Sequence, residues 1–224
     1  MTGLKVAAGV FVLLVATLLA QMLFAPQRET APPMTQGMPW QIELPGPGQS
    51  RVFGLTLGGG AASTLADARR LAAEAPKLAL LTPPDAPPAL EAYFEGVSFG
   101  ALTGKLVLSI AASAVELETM RTNAAKTGHL DSGMRKYALH ESDRERAERL
   151  PLAAIAFIPS ASLDEAVILQ RFGTPAERIR QGETLEHFLY PAQGLDVVLD
   201  SKGKEVLQYV APADFARLRA PLSR

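Results

Sequence analysis

Twenty residues, from Val6 to Ala25, run without a single charge: VAAGVFVLLVATLLAQMLFA. Thr17 and Gln21 are its only polar side chains. No surface helix or half-buried strand reads this way, because both need a polar face. Folded as a helix the run is roughly 30 Å long, the thickness of a bilayer hydrocarbon core. A cleaved signal peptide is the rival reading. Its apolar region is usually ~7–15 residues, followed by a small-x-small cleavage site. Here the run is longer and leaves through Leu23-Phe24-Ala25-Pro26, with a bulky residue where a small one is needed. The residues therefore predict an uncleaved anchor. Lys5 precedes the run, while Arg28 and Glu29 follow it. Positive charge stays cytoplasmic, so the expected topology is a single-pass inner-membrane protein with a cytoplasmic N-terminus and a periplasmic C-terminal domain.

Composition narrows the chemistry. Lys plus Arg is 22 and Asp plus Glu is 23, for a net charge of −1, so the chain lacks the basic excess that nucleic-acid binding requires. The chain contains no cysteine. That excludes disulfides, thiolate nucleophiles, zinc–thiolate or iron–sulfur sites, and a lipidated N-terminal cysteine. Residues 26–48 carry Pro26, Pro32, Pro33, Pro39, Pro45 and Pro47, which reads as an extended linker. Within it Trp40, in WQIEL, is expected on a short edge strand, with an aromatic membrane-surface anchor as the alternative.

Beyond the linker, Ser-x-x-Glu capping boxes predict three helices, at Ser113–Glu116, Ser142–Glu145 and Ser162–Glu165. A fourth helix is expected near Ser63 or Thr64. Strand-like runs cover residues 52–57, 77–81, 90–94, 105–110, 135–139 and 152–158. Three more, at 185–190, 195–199 and 205–210, are joined by Pro191-Ala192-Gln193-Gly194 and Asp200-Ser201-Lys202-Gly203. Connectors that short make neighbouring strands antiparallel. The pattern predicts an α+β fold, with helices packed on small antiparallel sheets. A faint repeat aligns Ser63-Thr64-Leu65-Ala66-Asp67-Ala68 with Ala161-Ser162-Leu163-Asp164-Glu165-Ala166, and Leu90-Glu91-Ala92-Tyr93-Phe94 with Leu185-Glu186-His187-Phe188-Leu189. The expected organisation is therefore an anchor at 1–25, a linker at 26–48, a first α+β unit at 49–112, connecting elements at 113–160 and a second α+β unit at 161–224.

From Ser162 to Val210 the chain carries a short helix ending in Phe172-Gly173-x-Pro175, then Arg178, Tyr190-Pro191, a strand start at Gly194-Leu195, an Asp200-x-x-Gly203 turn and a final strand. This stretch resembles the SmpA/OmlA (BamE-like) module of envelope lipoproteins, whose fold is shared with the β-lactamase inhibitor proteins. The resemblance covers about 50 of the 224 residues. It implies helices on one face of a small antiparallel sheet and a non-enzymatic role in contacts with another envelope protein. This chain departs from the pattern in lacking the lipid-bearing cysteine and in its long middle region.

Some motifs imitate catalysis. Gly96-Val97-Ser98-Phe99-Gly100 fits the G-x-S-x-G nucleophile elbow, Gly58-Gly59-Gly60 could serve as an oxyanion loop, and His140 or His187 with Asp131 or Asp164 would complete a hydrolase. The elbow needs a helix after the serine, whereas a β-like run at 105–110 follows Ser98, so a structural turn is expected. Ser201-x-x-Lys204 and Lys126-Thr127-Gly128 stand in the wrong order for a serine acylase. His129, His140 and His187 lack metal-ligand spacing. Glu141–Arg149, ESDRERAER, alternates in sign as a solvated helix face does. No catalytic, cofactor-binding or metal-binding residue is assigned, and no cofactor. The sequence predicts a membrane-anchored envelope protein, tethered through Val6 to Ala25, with a non-catalytic protein-interaction or scaffolding role. The alternative is a membrane-anchored serine hydrolase using Ser98.

Overall fold

The computed structural model describes residues 37–84, 87–130 and 133–223. Strand outweighs helix, 40% against 26%, and ten of the twelve described strands join one antiparallel sheet. This corrects the α+β expectation of helices on small, separate sheets. The helices are short, and strands from both expected units, 49–112 and 161–224, join the one sheet.

The two strands outside the large sheet, β1 (Ser50–Val52) and β2 (Leu55–Leu57), form a hairpin around Phe53-Gly54. Both turn residues have positive φ, 56° and 72°, as the tight hairpin turn demands. The large sheet contains β3 (Lys77–Thr82), β4 (Ala89–Phe99), β5 (Leu102–Ile110), β6 (Lys126–His129), β7 (Arg135–Ala138), β8 (Leu152–Pro159), β9 (Glu177–Gln181), β10 (Leu185–Tyr190), β11 (Leu195–Asp200) and β12 (Val206–Val210). Their spatial order is 6-7-3-4-5-8-12-11-10-9. Two four-stranded meanders, 3-4-5-8 and 9-10-11-12, thus lie side by side and join where β8 pairs with β12. Hairpin β6–β7 extends the first meander beyond β3. The two stretches with similar sequences take corresponding places, each opening a helix or supplying the second strand of its meander.

Helices α1 (Leu65–Ala68), α2 (Ala114–Thr122), α3 (Glu141–Arg149) and α4 (Glu165–Phe172) bury Leu65, Ala68, Met120, Ala147, Ile168 and Phe172 in the same core as one face of the sheet. At the centre of that face Phe53 stacks on Phe99 at 3.8 Å between centroids, and Phe157 and Tyr209 meet Phe53 edge-on or tilted at 5.5 and 5.6 Å. A side chain at Gly104 would strike Ile158 O and the Phe157 ring, so the strand is glycine where the cluster presses on it. Helix α5 (Phe215–Arg219) lies on the other face, with Phe215 and Leu218 against Ala154, Leu189 and Val210.

Caps decide where the helices begin. Ser113 and Glu116 form the expected capping box. Thr64 and Asp67 form a second one at α1. Two other starts differ from expectation. His140 rather than Ser142 caps α3, and Asp164 rather than Ser162 caps α4 by accepting from Val167 N–H at 2.8 Å. An aspartate or histidine near a serine offers an equally good acceptor, and the chain path into the helix selects between them. The charges of α3 pair both along the helix, Arg144 with Glu141, and across to other elements, Arg146 with Glu116 and Glu148 with Arg69. The WQIEL stretch adds only an isolated bridge, Glu43 to Arg51, while Trp40 packs on the core with Arg171 over its ring at 4.4 Å.

Among the described residues no helix is long and apolar enough to cross a membrane. The expected anchor at residues 6–25 lies outside the described residues. The inner-membrane location and the cytoplasmic-in, periplasmic-out topology rested on that segment alone, so neither follows from the structure.

Candidate functional site

The residues of the hydrolase reading do not converge. Ser98 sits in β4 opposite Thr103 of β5, in a hairpin turned by Gly100 at φ 62°. Its side chain is buried, 5% exposed. A nucleophile elbow requires a sharp strand-to-helix turn that lifts the serine out of the sheet, and here the serine lies within an extended strand. His187 belongs to β10, five strands away in the order 4-5-8-12-11-10, or about 24 Å at ordinary strand spacing. His140 accepts at the start of α3, with Nδ1 2.9 Å from Ser142 Oγ. Asp164 caps α4. Asp131 lies outside the described residues.

The remaining motifs also have local uses. The glycine run follows β2 in a turn, where a side chain at Gly59 would strike the Gln49 amide. Lys204 donates to Ser160 O at 2.8 Å from the β11–β12 connection. Lys126, Thr127 and Gly128 form most of strand β6. His129 ends that strand, His140 caps a helix and His187 is buried in β10. Among the described residues no group of three or more His, Asp or Glu side chains is placed to hold a metal ion.

One polar constellation was not legible in the sequence. His187 Nδ1 lies 2.8 Å from Asp196 Oδ2, with both side chains buried. Alternation along LEHFLY and LDVVLD puts both residues on the sheet face that α5 covers at one end. The sequence suggests a half-exposed His187, whereas the residue is 5% exposed. Burial pushes the Asp196 carboxyl upward, and the His187 hydrogen bond opposes that shift. An Asp–His pair is two-thirds of a catalytic triad, but the strand neighbours of His187 are Val198 and Ile179, and those of Asp196 are Leu189 and Gln208. None is a nucleophile. The pair fixes the register of β10 on β11, because a one-residue slip would send one partner to the opposite face.

The sheet's two edges differ. At one edge β9 carries Glu177, Arg178 and Arg180, engaged with Arg219, Glu165 and Glu186. Such charged side chains blunt an edge strand against further pairing. At the other edge all four residues of β6 are exposed. Leu130 N–H donates to Met134 O at 2.8 Å. By the alternation of an antiparallel ladder, Gly128 and Lys126 then point their backbone groups at β7, and Thr127 and His129 turn theirs outward. Two N–H and two C=O groups are thus presented along an open edge with one lysine and one glycine, which is the geometry that accepts an added strand. The described surface offers little else for a partner, since Leu44 and Val115 are its only exposed large hydrophobic side chains. No family model matches this chain, and no curated protein or solved structure does either.

Proposed function

We propose that this chain is a non-catalytic protein-interaction module that receives a strand from its partner along β6. The observation that carries this reading is the open edge: four exposed residues with the Thr127 and His129 backbone groups facing outward. The buried, in-strand position of Ser98 supports the non-catalytic part. The resemblance of Ser162 to Val210 to the SmpA/OmlA module supports a partner of the class it implies, another envelope protein. Strand addition draws affinity from main-chain hydrogen bonds and specificity from alternate side chains, here that of Lys126 on one side, beside the bare Gly128, and those of Thr127 and His129 on the other.

Photo-crosslinking in the native host tests the reading. A benzophenone amino acid at Thr127 is expected to capture one defined partner, and the same group at Arg180 on β9 to capture none. Equal capture at both edges, or none at Thr127, would count against it. A fluorophosphonate probe tests the competing hydrolase: labelling that disappears in Ser98→Ala would replace this reading with a catalytic one.

A further inference from the structure

The edge that β6 presents is also a cationic one. From Thr119 to His140 the sequence carries four basic side chains, Arg121, Lys126, Arg135 and Lys136, and one acid, Asp131, which lies outside the described residues. The acids that flank this stretch are already engaged, Glu118 by Arg121 and Glu141 by Arg144. Among the described residues Lys126, Arg135 and Lys136 have no ion-pair partner, and Lys126 and Arg135 are exposed. The opposite edge uses the same residue types differently. On β9, Arg178 meets Glu165 and Glu186, Arg180 meets Glu186, and Glu177 meets Arg219. One edge of the sheet is therefore matched in charge within the chain, and the other is not.

Strand register divides these charges between the two faces. Directly opposite residues share a face, so Lys126, Gly128 and Lys136 stand on one side of the sheet, and Thr127, His129 and Arg135 on the other, where Tyr137 joins the core under the helices. A strand added in register sets one residue opposite Lys126 and another, three positions along, opposite His129, and these two face opposite ways. Lys136 and Arg135 stand one strand further in, about 10 Å from the incoming backbone. Gly128, directly opposite Lys136, places no side chain between that lysine and the incoming strand. Opposite charges on paired strands stabilise the pairing, and like charges oppose it. We propose, resting on the strand-addition reading above, that the strand received by β6 is acidic and carries carboxylate side chains three residues apart, one for each face. A second copy of this chain does not fit that description: another β6 brings the same cations, and the acids of β9 are committed to Arg178, Arg180 and Arg219. A nucleic acid would satisfy the cations, but not the outward N–H and C=O groups of Thr127 and His129, which only another extended backbone pairs in ladder fashion.

Titrating the full chain with three short strand-forming peptides, followed by the backbone amide signals of Thr127 and His129 in two-dimensional NMR, tests this. The peptides are TVEVTEVT, TVQVTQVT and TVKVTKVT, alike except for the charge at two positions three apart. The expected result is that TVEVTEVT shifts both amide signals with a Kd at least about 10-fold below that of TVQVTQVT, that TVKVTKVT binds most weakly, and that the gap narrows at high salt. Lys126→Glu, Arg135→Glu and Lys136→Glu together should reverse the order. If that triple variant fails to fold, Lys126→Gln with Arg135→Gln, which adds no charge, should cut the preference for the acidic peptide at least about 3-fold. Equal Kd values for the acidic and amide peptides, with Thr127 and His129 shifting, would overturn the acidic partner and leave strand addition standing. Shifts confined to other residues, or none with any peptide, would overturn both. A short single-stranded DNA that moves the same two amide signals as tightly as TVEVTEVT would overturn the assignment to a protein strand.

Discussion

Replacing Glu91 with glutamine should remove most of the pH dependence of stability between about pH 5 and pH 8. Glu91 sits in β4 between Ala79 of β3 and Ser109 of β5, is 6% exposed, and has a buried Oε1 without a hydrogen-bond partner. Burial raises its pKa from 4.5 to about 8. Below pH 4.5 the carboxyl is protonated in both folded and unfolded chains. Between 4.5 and 8 the unfolded chain releases the proton and the folded chain keeps it, so stability falls as pH rises, and above 8 the loss is complete. At 1.36 kcal/mol per pKa unit the loss approaches about 5 kcal/mol, an upper figure that water entry or local rearrangement would reduce. Glutamine is neutral throughout and keeps the shape. Asp196, also raised by burial, contributes in the same direction but is common to both proteins and cancels in the difference. Urea unfolding at about pH 5, 6.5 and 8 measures the effect. The unaltered protein should lose several kcal/mol relative to Glu91→Gln across that range. Parallel profiles, or a relative gain with rising pH, would refute the assignment of a neutral buried carboxyl.

Further substitutions test separate parts of the fold. Asp164→Ala should cost about 1 kcal/mol in a urea titration while Ser162→Ala costs almost nothing, because only Asp164 caps α4. Gly194 has φ 68° and a side chain there would lie 2.0 Å from Val210 O, so Gly194→Ala should lower stability by on the order of 2–4 kcal/mol in thermal unfolding. Phe157→Ala empties the centre of the aromatic cluster and should cost about 3–5 kcal/mol, read from its urea midpoint.

What the sequence discloses depends on whether local signals compete with distant contacts. Runs such as 152–158 and 185–190 are dense in apolar and aromatic residues, and strands occupy both. Strand β9, ERIRQ, and strand β6, KTGH, carry no such signal: the first is dominated by charges that blunt an edge, and the second is polar with a glycine, residues of low strand propensity. The fold class departs from expectation for a related reason. Residues 152–158 are legible as a buried strand, but nothing local says that β5 and β12 flank it and fuse two meanders into one sheet. The site follows the same rule. Gly96-Val97-Ser98-Phe99-Gly100 matches a motif whose meaning depends on the element that follows, and β5 follows. The His187–Asp196 pair and the open edge at β6 depend on strand register, which a linear reading does not provide.

The central claim is that partner binding runs along the backbone of β6, and Thr127→Pro tests it most directly. Proline removes the outward N–H of Thr127 and leaves the β6–β7 ladder bonds, which belong to Lys126 and Gly128, in place. With the crosslinker moved to Lys126, the account predicts that Thr127→Pro reduces partner capture at least about 10-fold while the urea midpoint shifts little. Capture that survives Thr127→Pro at full strength in a folded protein would contradict it.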